Sequence, residues 1–347
     1  MSQVYSQVSP LVSPQVQSLV PTNQWDFLND PRLTAVYSPW DLYGSGGNTV
    51  GLRQGYSQYS VTAAQYFDLG SYTTLPQYNT TYHEKLFNQS PNALAGSDLT
   101  HWQGMSTAYM PVVGVRVGTS FYYQGTGKSV KFGGSGQYTG MHMEVKGTKA
   151  KLGIDFGDSF TQLLVIAKHG NTNDPYNSEP CVAGLHHPHG SSASTDDDFS
   201  GCVLENAYHR WEAQDRFTNS HGSSAATTNY GHIATNTNFK VIATSHTVTS
   251  PVSALNLRAP RKIYVNGNLD ATNSSSISTF FNNGTNPPTH TDGAYTFYSV
   301  GAQTGRSTGN TNRGSFYLKA ILLFQGILTD EEIMDASTRL APLVPNM

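Results

Sequence analysis

The chain has 347 residues, a formal net charge of −3 and only 12% Asp, Glu, Lys and Arg. That length accommodates one large β domain with an appendage, or two small domains. The neutral surface, rich in hydroxyl and amide groups, is usual for extracellular proteins and virion components and less so for cytosolic enzymes. Lys and Arg are scattered without a basic stripe, which argues against a nucleic-acid partner. No run of about twenty apolar residues suggests membrane insertion.

Residues 1–24 repeat a loose pattern, Gln7-Val8-Ser9-Pro10 and then Val12-Ser13-Pro14-Gln15-Val16. Proline stops a helix and removes ladder donors, so this segment reads as an extended arm. It offers little apolar area to offset the entropy of ordering, and is expected to order only on a neighbouring subunit or a capsid protein. Val4, Val8, Pro10, Val12, Pro14 and Val16 are its candidate assembly contacts. Met1 to Pro21 also lacks the basic, apolar and cleavage regions of a secretory signal. An exterior-type composition without an export signal fits a phage protein, made in the host cytoplasm and carried on the virion exterior.

Residues 25–127 place Trp25, Phe27, Tyr37, Trp40, Tyr43, Tyr56, Tyr59, Tyr66 and Phe67 among turn formers. No helical period appears, so short strands and loops are expected to wrap or dock on a sandwich. Pro111 to Phe121, with Val112, Val113, Val115 and Val117, predicts a strand. Further strands are predicted at Lys128 to Tyr138, Phe160 to Lys168 and Phe239 to Ser245. Residues 169–236 form a polar insertion in which Asp174 to Ser200 reads as loop. Cys202 to Phe217 alternates, with Glu205 and Trp211 on one face and Arg210 and Glu212 on the other. A strand is the first reading there and an amphipathic helix its competitor.

The last eighty residues are the most informative. Arg261 to Asp270 is a hairpin, because Asn266-Gly267 supplies the positive φ angles of a type I′ turn. Tyr295 to Ala302 alternates bulky and small residues. Ser315 to Phe324 is the most apolar run and should cross the core. Thr329-Asp330-Glu331-Glu332 is a capping box opening a short helix, whose buried face is Ile333, Met334, Ala336 and Leu340.

The Tyr264-Val265-Asn266-Gly267 hairpin, the strand ending near Gly301 and the Gly326-to-Ile333 ending together resemble the concanavalin A-like, or laminin-G-like, lectin/glucanase superfamily. The resemblance covers roughly residues 128–341, with Lys128 to Tyr138 as its opening strand. It implies an all-β fold, an antiparallel β-sandwich of concanavalin A-like jelly-roll type, with the extended N-terminal arm and one short C-terminal helix. The implied organisation is arm 1–24, aromatic-rich region 25–127, and sandwich 128–347 carrying the insertion 169–236.

Candidate sites follow from chemistry. The run Asp196-Asp197-Asp198 offers oxygen ligands for Ca²⁺, though it lacks the spaced ligands and closing Glu of a dedicated loop. Calcium is therefore the one cofactor considered. His186-His187-Pro188-His189 offers imidazoles, but adjacent histidines do not converge on one metal. Sugar recognition needs an aromatic platform and polar groups for hydroxyls. Asn206, Tyr208, His209, Trp211 and Asp215 are candidates, with Tyr230 and Asn283 expected to contribute from neighbouring loops. Glucanases of the superfamily carry Glu-x-Asp-x-(x)-Glu on one strand; no Glu-x-Asp occurs here, and one strand would put Glu205 and Glu212 on opposite faces. The chain is therefore expected not to be an enzyme. Cys181 and Cys202 allow either one loop-closing disulfide or two free thiols.

Three functions are thus expected in order: a capsid decoration or cement protein assembling through its arm, a receptor-binding lectin for host surface glycans, and, disfavoured, a polysaccharide-degrading enzyme.

Overall fold

The computed structural model describes residues 26–38, 66–67, 85–101, 112–117, 120–122, 129–132, 143–154, 157–168, 181–187, 198–205, 210–216, 223–227, 239–252, 255–275, 277–279, 296–301 and 316–341. The first half contributes β1 (Leu33–Tyr37), β2 (Tyr66–Phe67), β3 (Lys85–Leu86), β4 (Leu99–His101), β5 (Val112–Val117), β6 (Ser120–Tyr122), β7 (Ser129–Phe132) and β8 (Met143–Lys146), then helix α1 (Thr148–Leu152). Next come β9 (Phe160–Lys168), β10 (Cys181–His187), β11 (Asp198–Glu205), β12 (Arg210–Arg216) and β13 (Ser223–Thr227). The chain continues through β14 (Lys240–Val252), β15 (Leu255–Val265), β16 (Asn268–Asn273), β17 (Ile277–Thr279), β18 (Phe297–Val300) and β19 (Phe316–Gln325) to helix α2 (Asp330–Leu340).

These strands form two antiparallel sheets, as an all-β sandwich requires. The first runs β16-β15-β14-β9-β19-β7-β5-β6-β2, with β1 also on β19 and β17 also on β15. The second runs β13-β12-β11-β10-β18-β8-β4-β3. Pro111 to Phe121, read as one strand, is two, since Val117 pairs with Ser120 across β5 and β6. Cys202 to Phe217 is likewise divided. The chain reverses between Glu205 and Arg210, which are partners, and Trp211 lies opposite Leu204.

The first sheet is covered on both faces, which explains its apolar sequences. On β9, Leu164 and Ile166 face the second sheet, packing with Met143, Leu185, Trp211 and Tyr298. Leu163, Val165 and Ala167 face the other way, in a second core with Phe27, Leu328, Ile333 and Leu340. Strands apolar on one face only would alternate; strands buried on both read as continuous apolar runs. The Ser315 to Phe324 run crosses the core as expected, with every residue from Phe316 to Phe324 buried.

That crossing contains a device the sequence pattern conceals. Phe316, Leu318, Ile321 and Leu323 belong to the inter-sheet core, whereas Tyr317, Ala320, Leu322 and Phe324 belong to the second. The alternation slips at Lys319, where the register with β9 jumps from Leu318↔Ile166 to Ala320↔Val165. Lys319 is the extra residue of a β-bulge. Its ammonium lies 4.2 Å from the centre of the Phe239 ring, a favourable cation–π placement.

The Asn-Gly hairpin forms as read, with φ of 50° at Asn266 and 86° at Gly267. Asn266 locks it to β14, donating N–H to Val241 O at 2.7 Å while its Oδ1 accepts from Val241 N at 3.0 Å. A Cβ on Gly267 would lie 3.0 Å from Met334 Cα, so glycine also lets α2 approach. The capping box is present in both directions: Glu332 N donates to Thr329 Oγ1, and Thr329 N to Glu332 Oε2. Arg32 joins it by donating to Glu332 Oε1 at 2.6 Å and to Asp30 Oδ2 at 2.7 Å. Of the expected buried helix face, Ile333, Ala336 and Leu340 are buried, while Met334 is 38% exposed and Ser337 takes a buried place instead.

Burial pulls the Lys319 ammonium down from 10.5 to about 8. Above about pH 10.5 the amine is neutral folded and unfolded; between there and pH 8 only the unfolded chain takes up the proton. Stability therefore falls as pH drops through that window and this contribution levels off below it. Against Lys319→Met, the wild-type denaturation free energy is expected to decline from pH 10 to pH 8, with a slope of at most about 1.4 kcal/mol per pH unit. A difference that stays flat in urea titrations across that range would refute the assignment.

Candidate functional site

Between the sheets lies a chain of polar side chains. Asp215 on β12 is 0% exposed. It accepts from Ser200 Oγ on β11 and, through Oδ2, from Arg261 Nε on β15 at 2.7 Å. His246 Nδ1 on β14 is 2.9 Å from Asp215 Oδ1, and His246 Nε2 is 3.1 Å from Thr244 Oγ1. Gln162 on β9 donates to Thr244 Oγ1 at 3.1 Å and to Ala183 O at 3.0 Å. Tyr298 on β18 closes the chain by donating to Gln162 Oε1 at 2.8 Å.

A neutral imidazole with its proton on Nδ1 completes this pattern. It donates to Asp215 and accepts the Thr244 hydroxyl, which is itself an acceptor for Gln162. The charges of Asp215 and Arg261 then cancel, as burial requires. Arg261 also clamps the turn after β16, with Nη1 and Nη2 donating to Ser275 O at 3.1 and 3.0 Å.

Ser200, Asp215 and His246 are the residue types of a nucleophilic triad, but not its arrangement. The serine bonds the carboxylate rather than the imidazole, and the carboxylate sits between the other two, so the serine–imidazole bond that defines the triad is not made. All three are 0% exposed. Their role is to join the sheets.

The outer face of the second sheet is built differently. Side chains alternate, so opposite the core residues Met143, Val145, Tyr298 and Val300 stand Glu144, Lys146, Phe297 and Ser299. Registers carry this face across six strands in one row: Gln214, Gly201, Gly184, Ser299, Glu144 and Thr100. A parallel row runs Phe199, His186, Phe297 and Lys146. The His186 and Phe199 rings lie 4.8 Å apart, and Lys146 Nζ is 5.9 Å from the Phe297 ring centre.

Two glycines make the middle of the face shallow. A Cβ on Gly184 would fall 2.6 Å from Phe199 Cε2, and one on Gly201 would fall 2.9 Å from Phe199 Cζ. Phe199 thus lies across the strip that side chains would otherwise occupy. His186, Gln214, Phe199 and Ser299 are buried, Phe297, Glu144 and Thr100 half-buried, and Lys146 exposed. The accessible part of the face therefore combines an aromatic ring, a carboxylate, a hydroxyl and an ammonium.

The structure separates the residues singled out from sequence. Trp211 is 2% exposed in the inter-sheet core and Asp215 lies in the buried chain, so neither presents a face to solution. Asn206, Tyr208, His209, Tyr230 and Asn283 lie outside the described residues, as do Asp196, Asp197 and the arm residues Val4, Val8, Pro10, Val12, Pro14 and Val16. Asp198 opens β11 opposite His187. Among the described residues no group of three His, Cys, Asp or Glu could hold a metal. Cys202 is a buried free thiol, its ionisation pushed up by burial and then by Glu212.

Glu144, Lys146, Phe297 and Ser299 were missed, although Met143-Glu144-Val145-Lys146 and Phe297-Tyr298-Ser299-Val300 carry the period-2 alternation that places them on one face. The hairpin also corrects the faces of two glutamates. Val203 pairs with Glu212, and Glu205 stands two residues on from Val203. Positions 205 and 212 therefore share the outer face, as diagonal neighbours.

No protein-family model and no curated protein matches the chain. Solved structures do. A mutant of Trypanosoma rangeli sialidase displaying trans-sialidase activity is 11% identical with a TM-score of 0.42, over 72% of this chain and 30% of that one. The botulinum neurotoxin serotype G binding domain is 11% identical at 0.38, over 70% and 49%. The CBM40 domain of a Ruminococcus gnavus sialidase, bound to α2,3-sialyllactose, is 11% identical at 0.34, over 52% and 83%. The chain thus spans about a third of the sialidase. These likenesses concern the fold alone.

They also correct the expectation that the chain is not an enzyme. Several matching structures are sialidases, and sialidases with a tyrosine nucleophile lie outside the paired-carboxylate scheme. A missing Glu-x-Asp strand therefore does not exclude catalysis, and the face argument against Glu205 and Glu212 no longer stands.

Asp215→Ala, which leaves Arg261 buried and uncompensated, is expected to destabilise the protein by about 3–5 kcal/mol. Arg261→Met should cost a similar amount, and the double variant Asp215→Leu/Arg261→Met distinctly less than the sum. Urea denaturation of the four proteins completes the cycle; strict additivity would show that the two groups act independently.

Proposed function

We propose that this chain is a carbohydrate-binding β-sandwich whose binding surface is the outer face of the second sheet. The observation that carries the proposal is the in-register pair of rows, one polar and one aromatic, with Phe297, Glu144, Thr100 and Lys146 at its accessible end. A sugar ring stacks its C–H face on an aromatic side chain while carboxylate, hydroxyl and ammonium groups take its hydroxyls. An apolar platform with a few convergent polar groups is how small-ligand sites gain both affinity and orientation.

The finer reading, a decoration or cement protein on a virion exterior assembling through an arm at residues 1–24, rests on the exterior-type composition and on the proline-broken repeat of that segment. Phe27 is buried, with the Arg339 guanidinium 4.6 Å from its ring centre, and Asp26 lies 3.4 Å from Arg339. With Arg32 tied to Glu332, this fixes Asp26 against α2.

On an immobilised glycan panel the protein should bind at least one glycan saturably. Phe297→Ala should weaken that binding at least about tenfold and Glu144→Gln measurably, each with an unchanged denaturation midpoint. No binding across the panel, or binding indifferent to both substitutions, would refute the surface; reducing-end release from the same panel reads out hydrolysis. For the arm, light scattering should give an oligomer for the full chain and a monomer for a variant lacking residues 1–24. Equal masses would end the assembly reading.

A further inference from the structure

We propose that Ser299 is a specificity-determining residue of the outer face, placed to exchange a hydrogen bond with one hydroxyl of the bound sugar. The inference rests on the carbohydrate-binding reading and names a contact within it.

Ser299 is 0% exposed, and among the described residues its Oγ has no hydrogen-bond partner. Its surroundings explain why. Across the sheet its partners are Gly184, which has no side chain, and Glu144, whose carboxylate does not meet it. Along its own strand, two residues away on either side, stand Phe297 and Gly301. Three of the four neighbouring positions therefore offer no polar side chain, while the fourth is the half-buried Glu144.

A buried hydroxyl without a partner lowers stability, and alanine would remove that cost without leaving a polar atom stranded. Such a position is the kind of local inconsistency that proteins keep at sites of function. The hydroxyl also stands in the polar row, two residues along its strand from Phe297 in the aromatic row. Phe297 and Glu144 are its neighbours along and across the sheet, so a sugar held by both reaches it after the side-chain rearrangement common on binding. Ser299 both donates and accepts, so it suits a hydroxyl rather than a charged group. A site built to bond a hydroxyl also rejects analogues that lack it.

The test compares Ser299→Ala with the wild type in two assays, using the tightest glycan of the panel and its single-deoxy analogues. The expected result is a raised urea midpoint for Ser299→Ala together with at least tenfold weaker glycan binding. One deoxy analogue should bind the wild type as weakly as the variant, and bind both proteins equally. A raised midpoint with unchanged binding overturns the inference and leaves the carbohydrate reading in place. A lowered midpoint also overturns it, because Ser299 would then be bonded within the fold. If the wild type binds no glycan at all, the reading beneath the inference fails, and the inference fails with it.

Discussion

The carboxylate of Asp215 is the constraint around which the sandwich is organised. It takes hydrogen bonds from Ser200, His246 and Arg261, on three strands in two sheets, with no contact with solvent. A buried ion pair adds little net stability compared with an apolar pair of the same volume. Its effect is selective instead. A one-residue slip of β12 would turn Asp215 to the outer face and take its carboxylate away from the buried Arg261. The same slip would bring Glu212 and Gln214 into the core and carry Trp211 out. The alternatives to the native register are therefore much less stable, even though the pair itself contributes modestly.

The first sheet is organised by a different constraint, burial on both faces. The inter-sheet core sets one parity of β9, β14 and β19, and the layer containing α2 and Phe27 sets the other. This is why the C-terminal run was legible: nothing but a twice-covered strand leaves Phe316 to Phe324 without a solvent-facing residue. The Asn266-Gly267 turn and the Thr329 to Glu332 capping box were legible for a related reason, since each is closed within four residues. The bulge was not. Its extra residue, Lys319, lies over Phe239, and no local spacing reveals a partner eighty positions away.

Distance along the chain also explains the failures. Asp215 reads as a surface residue because polar residues usually are, and its partners stand 15, 31 and 46 residues away. The reversal between Glu205 and Arg210 carries no Gly or Pro, and Asn206 is its one residue with turn character, so an alternating strand was the natural reading. From that single error followed both the misplacement of Trp211 as a sugar platform and the opposed faces of Glu205 and Glu212. Conversely, the alternation of β8 and β18 did announce two faces. It could not say which face met the other sheet, because that depends on the strand order.

Hydrogen-bond accounting separates the two kinds of polar residue that this sandwich buries. Ser200 and Ser299 are both 0% exposed, on neighbouring parts of one sheet, and sequence gives no reason to distinguish them. Ser200 faces inward and its hydroxyl is bonded to Asp215, so its removal would leave a charge with one donor fewer. Ser299 faces outward beside Gly184, across which Phe199 lies, and removing its hydroxyl strands no polar partner. The first is explained by the fold alone. The second is a cost the fold has no need to bear, and it is this difference on which the proposed role of the outer face rests.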